Sequence, residues 1–386
     1  MNMQEQKDTI YVATIIDSYN YGTVLQALAT NNILSEYGTP CFVNYKRPQW
    51  TTSGWIKSTI SNSHYGFIVN LVRLFTQIPN RLLGEKIFHK SINHYLKLCS
   101  PKPFLTKEPG NLNNSASYCA GSDQTWNFEY NKGIDPVYYL ENIPTNYFKF
   151  SLSSSFGRPE ISANEASETF TRLRSFSYLS VRESSGSIIL DQLGLPSTVL
   201  CDPVLMCSQN YWRKIAKSQN AKSQKSFSRD YVLIYQLNQR SDIINHALSI
   251  AEKKNLDVVL IGLDWKVFPK KGVRRVLYPT IEEWLSLFSQ ARLVLTDSFH
   301  GTCFSLIFNR PFISFAPPKY SVRIADLLRE AKLQNNYVPT FPSDEVNIKD
   351  TDFETINWEE VNSFISSQQK NTKQYLDTVF EGKQND

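Results

Sequence analysis

The sequence lacks the long apolar runs of a membrane-spanning protein. Its mean hydropathy is −0.34, and no stretch approaches the roughly 20 apolar residues that a spanning helix needs. The N-terminus, MNMQEQKDTIYVATII, does not combine a basic start, an apolar stretch and a small-residue cleavage site, so it does not look like a secretory signal. Together these absences predict a cytoplasmic protein.

Recognisable cysteine and histidine patterns are also missing. The six cysteines form no C-x-x-C pair, and the five histidines form no H-E-x-x-H or H-x-H motif. Most of the cysteines stand in or beside strand-like stretches, where we expect them to be small buried side chains. The sequence therefore predicts neither a disulfide framework nor a protein metal site.

What the chain does contain is enough apolar sequence for two domains. It has 386 residues, of which 41% are hydrophobic and 20% charged. Strand-like and helix-like patterns alternate, which is typical of parallel α/β sheets with helices on both faces. We predict doubly wound domains over residues 1–216 and 230–350, joined by a polar linker over 217–229. A ligand cleft is expected between the two domains, at the carboxyl ends of the strands. Segment 351–386 predicts a final amphipathic helix that packs back on the first domain.

The net charge of +5 is concentrated in one segment. Residues 46–107 contain ten Lys and Arg but a single acid, Glu85, so this segment alone carries a charge of +9. We interpret 46–115 as a basic helical insertion in the first domain. Its basic faces are either simply solvated, or they approach anionic lipid or a diphosphate-linked substrate. Nucleic acid is not expected as a partner, because no recognised binding module is present.

Polar side chains follow the ends of several predicted strands. The first strand leads into DSYNYG, in which Asn20 and Gly22 stand where a helix begins and its N–H groups suit an anion or a sugar hydroxyl. A later strand leads into GSDQTWN, in which Asp123 and Gln124 suit hydroxyl binding and Trp126 suits stacking on a sugar ring. The structural alternatives are a plain helix start for the first cluster and a tight turn with Trp126 in the core for the second.

The third cluster, TDSFHGT, ends a buried strand at residues 296–302. A helix begins there, and its N-terminal dipole near Ser298 and Gly301 favours a phosphate or a carboxylate. His300 is suited to exchanging a proton near neutral pH. Asp297 is suited to binding, orienting or deprotonating a hydroxyl.

Three basic residues complete the candidate set. Arg182, at another strand end, is suited to binding an anion through two parallel hydrogen bonds. The alternative is that it forms a surface ion pair with Glu183. Lys319 and Arg323 follow the next strand after His300, where they either add positive charge to the site or are simply solvated.

Six segments in this order resemble the polysaccharide pyruvyl transferase family: SYNYGTVLQALA, AGSDQTWN, FSLSSSFG, SVRESS, CDPVL and DSFHGTCFSLIFNRPFISF. The resemblance runs from about residue 10 to about residue 335. Each motif is loose, but their order and spacing together are specific. The resemblance implies two Rossmann-like domains in a GT-B-like arrangement, with the family's catalytic histidine at His300 and its motif arginine at Arg182.

The resemblance also implies a reaction. Such enzymes move the pyruvyl group of phosphoenolpyruvate onto a hexose, commonly as a ketal across the 4- and 6-hydroxyls, and release phosphate. Phosphoenolpyruvate is a co-substrate, and no cofactor is expected. We assign catalysis to His300, Arg182 and Asp123, with His300 as the general acid. The predicted donor-binding residues are Ser298, Gly301, Lys319 and Arg323, and the predicted acceptor-binding residues are Asn20, Gly22, Gln124, Trp126 and Asp297.

The expected acceptor is a galactose-type residue of an undecaprenyl-diphosphate-linked repeat unit, in bacterial capsule or exopolysaccharide synthesis. Such a substrate would bring segment 46–107 to the inner face of the membrane. Two alternatives remain open at this point. One is a nucleotide-sugar glycosyltransferase with the same two-domain architecture, and the other is a non-catalytic carbohydrate-binding or assembly protein on the same scaffold.

Overall fold

A computed structural model describes residues 8–60, 67–100, 115–218, 229–262, 270–318, 322–339 and 355–385. The chain divides into two compact units. Unit 1 combines the residues up to Met206 with those from Gln368 onward, and unit 2 comprises Cys207–Ser367. Within the described residues, no helix is both long enough and apolar enough to cross a bilayer.

Unit 1 is built on a parallel sheet. Its first four strands, in the spatial order β2-β1-β3-β4, are β1 (Thr9–Ala13), β2 (Thr39–Phe42), β3 (Ser117–Ala120) and β4 (Lys149–Ser151). The short strands β5 (Ser180–Val181) and β6 (Thr198–Val199) pair with each other in parallel. Isolated bridges from Phe150 to Tyr178 and from Ser154 to Val181 continue the sheet from β4 to β5.

Unit 2 contains one six-stranded sheet in the order β12-β11-β10-β7-β8-β9, and all its pairs are parallel. Its strands are β7 (Tyr231–Tyr235), β8 (Asp257–Gly262), β9 (Val273–Leu277), β10 (Leu293–Thr296), β11 (Phe312–Phe315) and β12 (Tyr337–Val338). Every residue of β7, β10 and β11 is buried, which explains why these strands read as continuous apolar runs. The parallel α/β fold class is therefore confirmed.

Helices connect the strands in both units. Those that lie wholly in unit 1 are α1 (Tyr21–Leu34), α2 (Thr52–Ile60), α3 (Phe67–Tyr95), α4 (Phe128–Asn131), α5 (Ala163–Leu173), α6 (Ser184–Gln192) and α7 (Pro203–Met206). Those of unit 2 are α8 (Gln209–Ala216), α9 (Ser241–Lys254), α10 (Ile281–Gln290), α11 (Phe299–Ile307) and α12 (Val322–Glu330), and α13 (Trp358–Asn385) begins in unit 2 and ends in unit 1.

The division between the units differs from the predicted linker. Helix α8 was predicted to belong to the first domain, but it lies in unit 2. Trp212 of α8 packs edge-on against Phe304 at 4.9 Å, and the Gln209 side chain donates a hydrogen bond to the Ile307 carbonyl. These contacts hold α8 on unit 2, so the division falls after Met206. Most of the predicted linker, 219–228, lies outside the described residues.

The C-terminal part of α13 packs on unit 1. Tyr375 donates a hydrogen bond from its hydroxyl to the Ser151 carbonyl at 2.8 Å. Phe380 stacks on Tyr37 with ring centres 4.9 Å apart, and it meets Phe150 edge-on at 5.5 Å. These contacts complete the hydrophobic packing around β4.

Candidate active site

The order of the strands identifies where a ligand is expected in each unit. In unit 1, β1 connects to β2 on one side of the sheet and β3 connects to β4 on the opposite side, so the direction of the connections reverses between the neighbouring strands β1 and β3. In unit 2 the direction of the connections reverses between the neighbouring strands β7 and β10. Parallel sheets of this kind bind ligands outside the carboxyl ends of the strands at such a switch point. The three polar clusters predicted from the sequence follow β1, β3 and β10, so they lie at the two switch points.

In unit 1, Asp123 joins the loop after β3 to the start of α1. The Thr23 hydroxyl donates to the Asp123 carboxylate at 3.2 Å, and the Gln124 backbone N–H donates to its other oxygen at 2.8 Å. The backbone of Asp123 has a φ of +76°, which few non-glycine residues adopt. A carboxylate is thus held in a strained loop at the switch point, with 8% of the residue exposed.

Arg182, which follows β5, is surrounded by three carboxylates. Its Nη1 donates to Asp202 at 2.6 Å, its Nη2 is 3.9 Å from Asp123, and its Nε is 3.9 Å from Glu183. Burial alone would lower the pKa of the guanidinium, but Asp202, Asp123 and Glu183 raise it above its usual value. Glu183 in turn accepts hydrogen bonds from the Ser155 hydroxyl and from the backbone N–H groups of the loop after β4. The cluster has more negative than positive charge, which disfavours an anionic ligand there.

The other predicted acceptor residues are part of the framework of the loops. Asn20 caps α1 by accepting from the Gly22 N–H at 2.9 Å, and Gly22 is buried in the first turn. Gln124 accepts from the Asn127 side-chain amide at 2.5 Å. The proposed stacking role of Trp126 is wrong: only 1% of the residue is exposed, because its ring packs against aromatic side chains of the core and its indole N–H donates to a backbone carbonyl.

Sequence reasoning missed Arg47, which was counted with the basic segment. Arg47 is fully buried and makes a two-pronged ion pair with Asp17, in the loop after β1, with contacts of 2.7 and 3.0 Å. Its third nitrogen donates to Asn131 at 2.8 Å, and Asn131 donates to the carbonyls of Gln124 and Thr125. Arg47 therefore links the two loops of the unit 1 switch point. The sequence signal for this role is weak, because a buried arginine has no distinctive local pattern.

In unit 2, α11 begins directly at the end of β10. Ser298 caps the helix by accepting from the Gly301 N–H at 3.3 Å. A side chain at position 301 would collide with Thr296, so glycine allows the helix to begin this close to the strand. His300 stands in the first turn of α11, is 8% exposed, and meets the Phe299 ring edge-on at 5.4 Å.

Arg323 lies near the same helix start. Its guanidinium stands over the Phe299 ring at 5.6 Å, which brings positive charge to the neighbourhood of His300. Asp297 instead fixes the loop after β7, because it accepts from the N–H groups of Leu237 and Asn238 at 2.7 and 3.1 Å. Burial raises the pKa of Asp297, although these hydrogen bonds oppose the shift. Lys319 lies outside the described residues.

The comparison with protein families decides the identity of the chain. The model described as "Polysaccharide pyruvyl transferase" matches residues 20–319. The chain belongs to the polysaccharide pyruvyl transferase family. This membership makes it a transferase and confirms the predicted family. No curated protein sequence matches the chain.

Solved structures identify the fold of this family member. UDP-N-acetylglucosamine 2-epimerase from Rickettsia bellii superimposes with a TM-score of 0.52 at 10% identity, over 98% of both chains. The enzyme of the same name from Methanocaldococcus jannaschii gives 0.50 at 11% identity, over 94% of this chain and 92% of that one. A putative enzyme of this kind from Listeria monocytogenes gives 0.50 at 8% identity, over 97% and 96%. At such low identity the likeness shows the fold alone, which is the predicted GT-B type.

Proposed function

We propose that the protein transfers the pyruvyl group of phosphoenolpyruvate to a hexose of galactose type, as a 4,6-ketal, on a lipid-linked polysaccharide repeat unit. The observation that supports this most is that His300 stands in the first turn of α11 and that the guanidinium of Arg323, from α12, lies near the same helix start. Phosphoenolpyruvate carries a carboxylate and a phosphate, so its pocket needs positive charge and N–H donors. The end of β10 in unit 2 offers both.

In this scheme unit 2 binds and activates the donor. Ser298 and Gly301 form the helix start that would bind the anion, Arg323 lies near it, and Lys319 would add a further cation. Protonated His300 gives its proton to the methylene carbon of phosphoenolpyruvate, which leaves an oxocarbenium-like centre at C2. General acid catalysis of this kind contributes about 10²–10⁴-fold to a rate.

Unit 1 binds the acceptor in the same scheme. A sugar hydroxyl forms a bond to C2 and passes its proton to Asp123. The bond from C2 to the phosphate oxygen then breaks, and phosphate leaves with the bonding electrons. The second hydroxyl adds to C2 and loses its proton, which closes the ketal. Because Arg182 stands among carboxylates, we assign it to holding Asp123 and Glu183 in place rather than to binding the donor.

The decisive experiment incubates the purified protein with phosphoenolpyruvate and a panel of lipid-diphosphate oligosaccharides. We expect one acceptor to gain the mass of a pyruvyl ketal, with one phosphate released for each ketal formed. The same panel is run with nucleotide sugars in place of phosphoenolpyruvate. Release of a free nucleotide together with glycosylated product would instead identify a glycosyltransferase.

The lipid-linked acceptor is supported by the exposed part of the basic segment. Lys57, Lys86, Lys90 and Lys97 are exposed, whereas Arg47 is buried and Lys46 pairs with Glu85 at 2.9 Å. Lys102 and Lys107 lie outside the described residues. We expect the protein to sediment with anionic vesicles but not with neutral ones, and a Lys86→Glu/Lys90→Glu variant to lose that difference. Equal sedimentation with neutral vesicles would contradict the electrostatic contact.

A further inference from the structure

Unit 1 contains an open pocket beside its switch point, which we call the α3 pocket. Its walls come from the loop after β1 (residues 16–19), the segment after β2 (residues 44–46) and the second half of α3. Because β1 and β2 are parallel neighbours, both loops leave the sheet at its carboxyl edge, where folds of this kind bind ligands. The pocket encloses about 450 Å³, counting the part that is open to solvent, which is within the range of small-molecule sites.

The spacing of side chains on α3 builds one wall of the pocket. Glu85, Phe88, His89 and Ile92 recur at intervals of three and four residues, so they lie on one face of the helix. All four line the pocket. Phe88 and Ile92 are buried, whereas Glu85 is half-buried and His89 is exposed. The wall therefore passes from apolar side chains deep in the pocket to polar ones at its mouth.

The charged side chains that line the α3 pocket are paired. Lys46 and Glu85 form an ion pair at 2.9 Å. Asp17 is bound by Arg47 through contacts of 2.7 and 3.0 Å, which also tie the loop after β1 to the segment after β2. Phosphate and carboxylate ligands need cations that are not already neutralised by carboxylates. The balanced charge of this pocket therefore favours a neutral polar ligand.

The ion pair at the mouth is suited to binding hydroxyl groups. An ammonium has three donors and a carboxylate has two acceptor oxygens, and the contact of Lys46 with Glu85 joins Nζ to Oε1. Their side chains are 20% and 31% exposed, so a ligand has access to both. Against the effect of burial, Lys46 and Arg81 lower the pKa of Glu85, which keeps its carboxylate charged. A donor and an acceptor thus stand side by side, as adjacent hydroxyls of a sugar ring require.

We propose that the α3 pocket binds the sugar residue next to the pyruvylated hexose in the acceptor oligosaccharide. A pyranose ring is neutral and combines apolar C–H faces with a rim of hydroxyls, which matches an apolar interior and a polar mouth. This inference rests on the proposed acceptor role of unit 1. The loop after β1 connects the two places, because residues 16–19 line the pocket and the chain continues into α1, whose Thr23 donates to Asp123 at 3.2 Å.

The test measures the binding of sugars to the full-length protein in the absence of phosphoenolpyruvate, by ligand-observed NMR titration. The probes are methyl galactoside, methyl glucoside and a panel of methyl disaccharides in which either sugar is joined to a second hexose through different linkages. We expect at least one disaccharide to bind about tenfold more tightly than its terminal monosaccharide, because the second ring adds hydrogen bonds and apolar contact.

Two variants locate the second ring. Glu85→Gln weakens the acceptor at the mouth and should lower the ratio of disaccharide to monosaccharide affinity about threefold. His89→Trp places a bulky ring at the mouth from an exposed position and should bring the ratio close to one. The matched controls are Glu36→Gln and His94→Trp, at exposed positions that do not line the pocket, and both should keep the parent ratio.

Equal affinities of the monosaccharides and of every disaccharide in the panel would overturn the proposal. A ratio that neither Glu85→Gln nor His89→Trp lowers would overturn it too, because the second ring would then bind elsewhere. The pyruvyl transfer itself is judged separately, by ketal formation with phosphoenolpyruvate. A protein that forms the ketal but shows no preference for disaccharides would retain the proposed function and lose this subsite.

Discussion

The switch points of the two units are held in place by different kinds of interaction. In unit 1, buried ion pairs fix the loops: Arg47 with Asp17, and Arg182 with Asp202. In unit 2, uncharged hydroxyls fix the start of α11, with Ser298 capping it and Thr302 hydrogen-bonded to Ser314 at 2.7 Å. The difference suits the proposed division of labour. The hydroxyl-capped start of α11 suits an anionic donor, whereas the fixed carboxylates of unit 1 suit hydroxyl groups.

The largest expected effect is that of His300→Ala on turnover. Loss of the general acid should lower the rate of ketal formation by about 10²–10⁴-fold while the protein remains folded. Phosphate release in the presence of acceptor measures this. The control is His246, a half-buried histidine of α9 in the same unit, and the His246→Ala variant should keep the parent activity. Phosphate release at the parent rate by His300→Ala would disprove the assignment.

Arg47→Met tests the charged framework of unit 1. Removal of one partner leaves Asp17 buried without its cation, which typically costs about 3–5 kcal/mol. We expect a drop of this size in the free energy of unfolding, measured by denaturant titration. Lys46→Met removes the neighbouring, partly exposed ion pair with Glu85 and should cost no more than about 1 kcal/mol. Equal losses of unfolding free energy in the two variants would show that the buried ion pair stabilises the protein no more than the partly exposed one.

Asp123→Asn tests the role of unit 1 in acceptor chemistry. Asparagine tolerates the positive φ of this position, so the loop should keep its shape. We expect kcat to fall by about 10²-fold because the proton acceptor is lost, while KM for phosphoenolpyruvate stays unchanged. Steady-state kinetics with each substrate varied in turn measure both constants. A change confined to KM for phosphoenolpyruvate would reverse the proposed roles of the units.

Arg323→Gln tests the role of unit 2 in binding the donor. Loss of one charge-assisted contact should raise KM for phosphoenolpyruvate about tenfold, with KM for the acceptor unchanged. The control is Arg329→Gln on the same helix, where the arginine is exposed and pairs with Asp326. If both variants behave alike, the effect is one of general charge rather than of a donor contact.

The smallest expected effect concerns Lys149, a buried lysine of β4 that donates to the carbonyls of Leu140 and Ile143. Burial lowers its pKa to about 8, so the folded protein releases this proton at a lower pH than the unfolded chain does. Between these two pKa values a rise in pH favours the folded state. The free energy of unfolding of the parent protein, relative to Lys149→Met, should therefore increase from about pH 7.5 to about pH 10. If the difference in unfolding free energy between the two proteins does not change with pH, burial does not shift the pKa of this amine.

Much of the fold was predictable because its signals are local. The continuous apolar runs predicted the strands β7 and β10. The spacing of Thr280 and Glu283 predicted the capping box that begins α10. The two-residue strand β12 was missed, since it is too short to show a period. The place of α8 in unit 2 was also missed, because it depends on the contact of Trp212 with the distant Phe304.

The candidate site was predictable where it depends on strand ends and not where it depends on burial. Polar clusters after β1, β3 and β10 were visible in the sequence and do lie at the switch points. Trp126 was placed on the surface, since a tryptophan beside polar residues reads the same whether it faces a ligand or the core. Arg47 was read as a surface charge, because its partner Asp17 is thirty residues away in the chain.

The final helix, α13, affects the order in which the protein acquires its structure during synthesis. Tyr375 and Phe380 complete the packing around β4, yet the ribosome produces them after the whole of unit 2. A nascent chain that has not yet reached α13 therefore carries a first unit with part of its apolar surface uncovered. Such partly folded species are the ones most exposed to aggregation and to proteases.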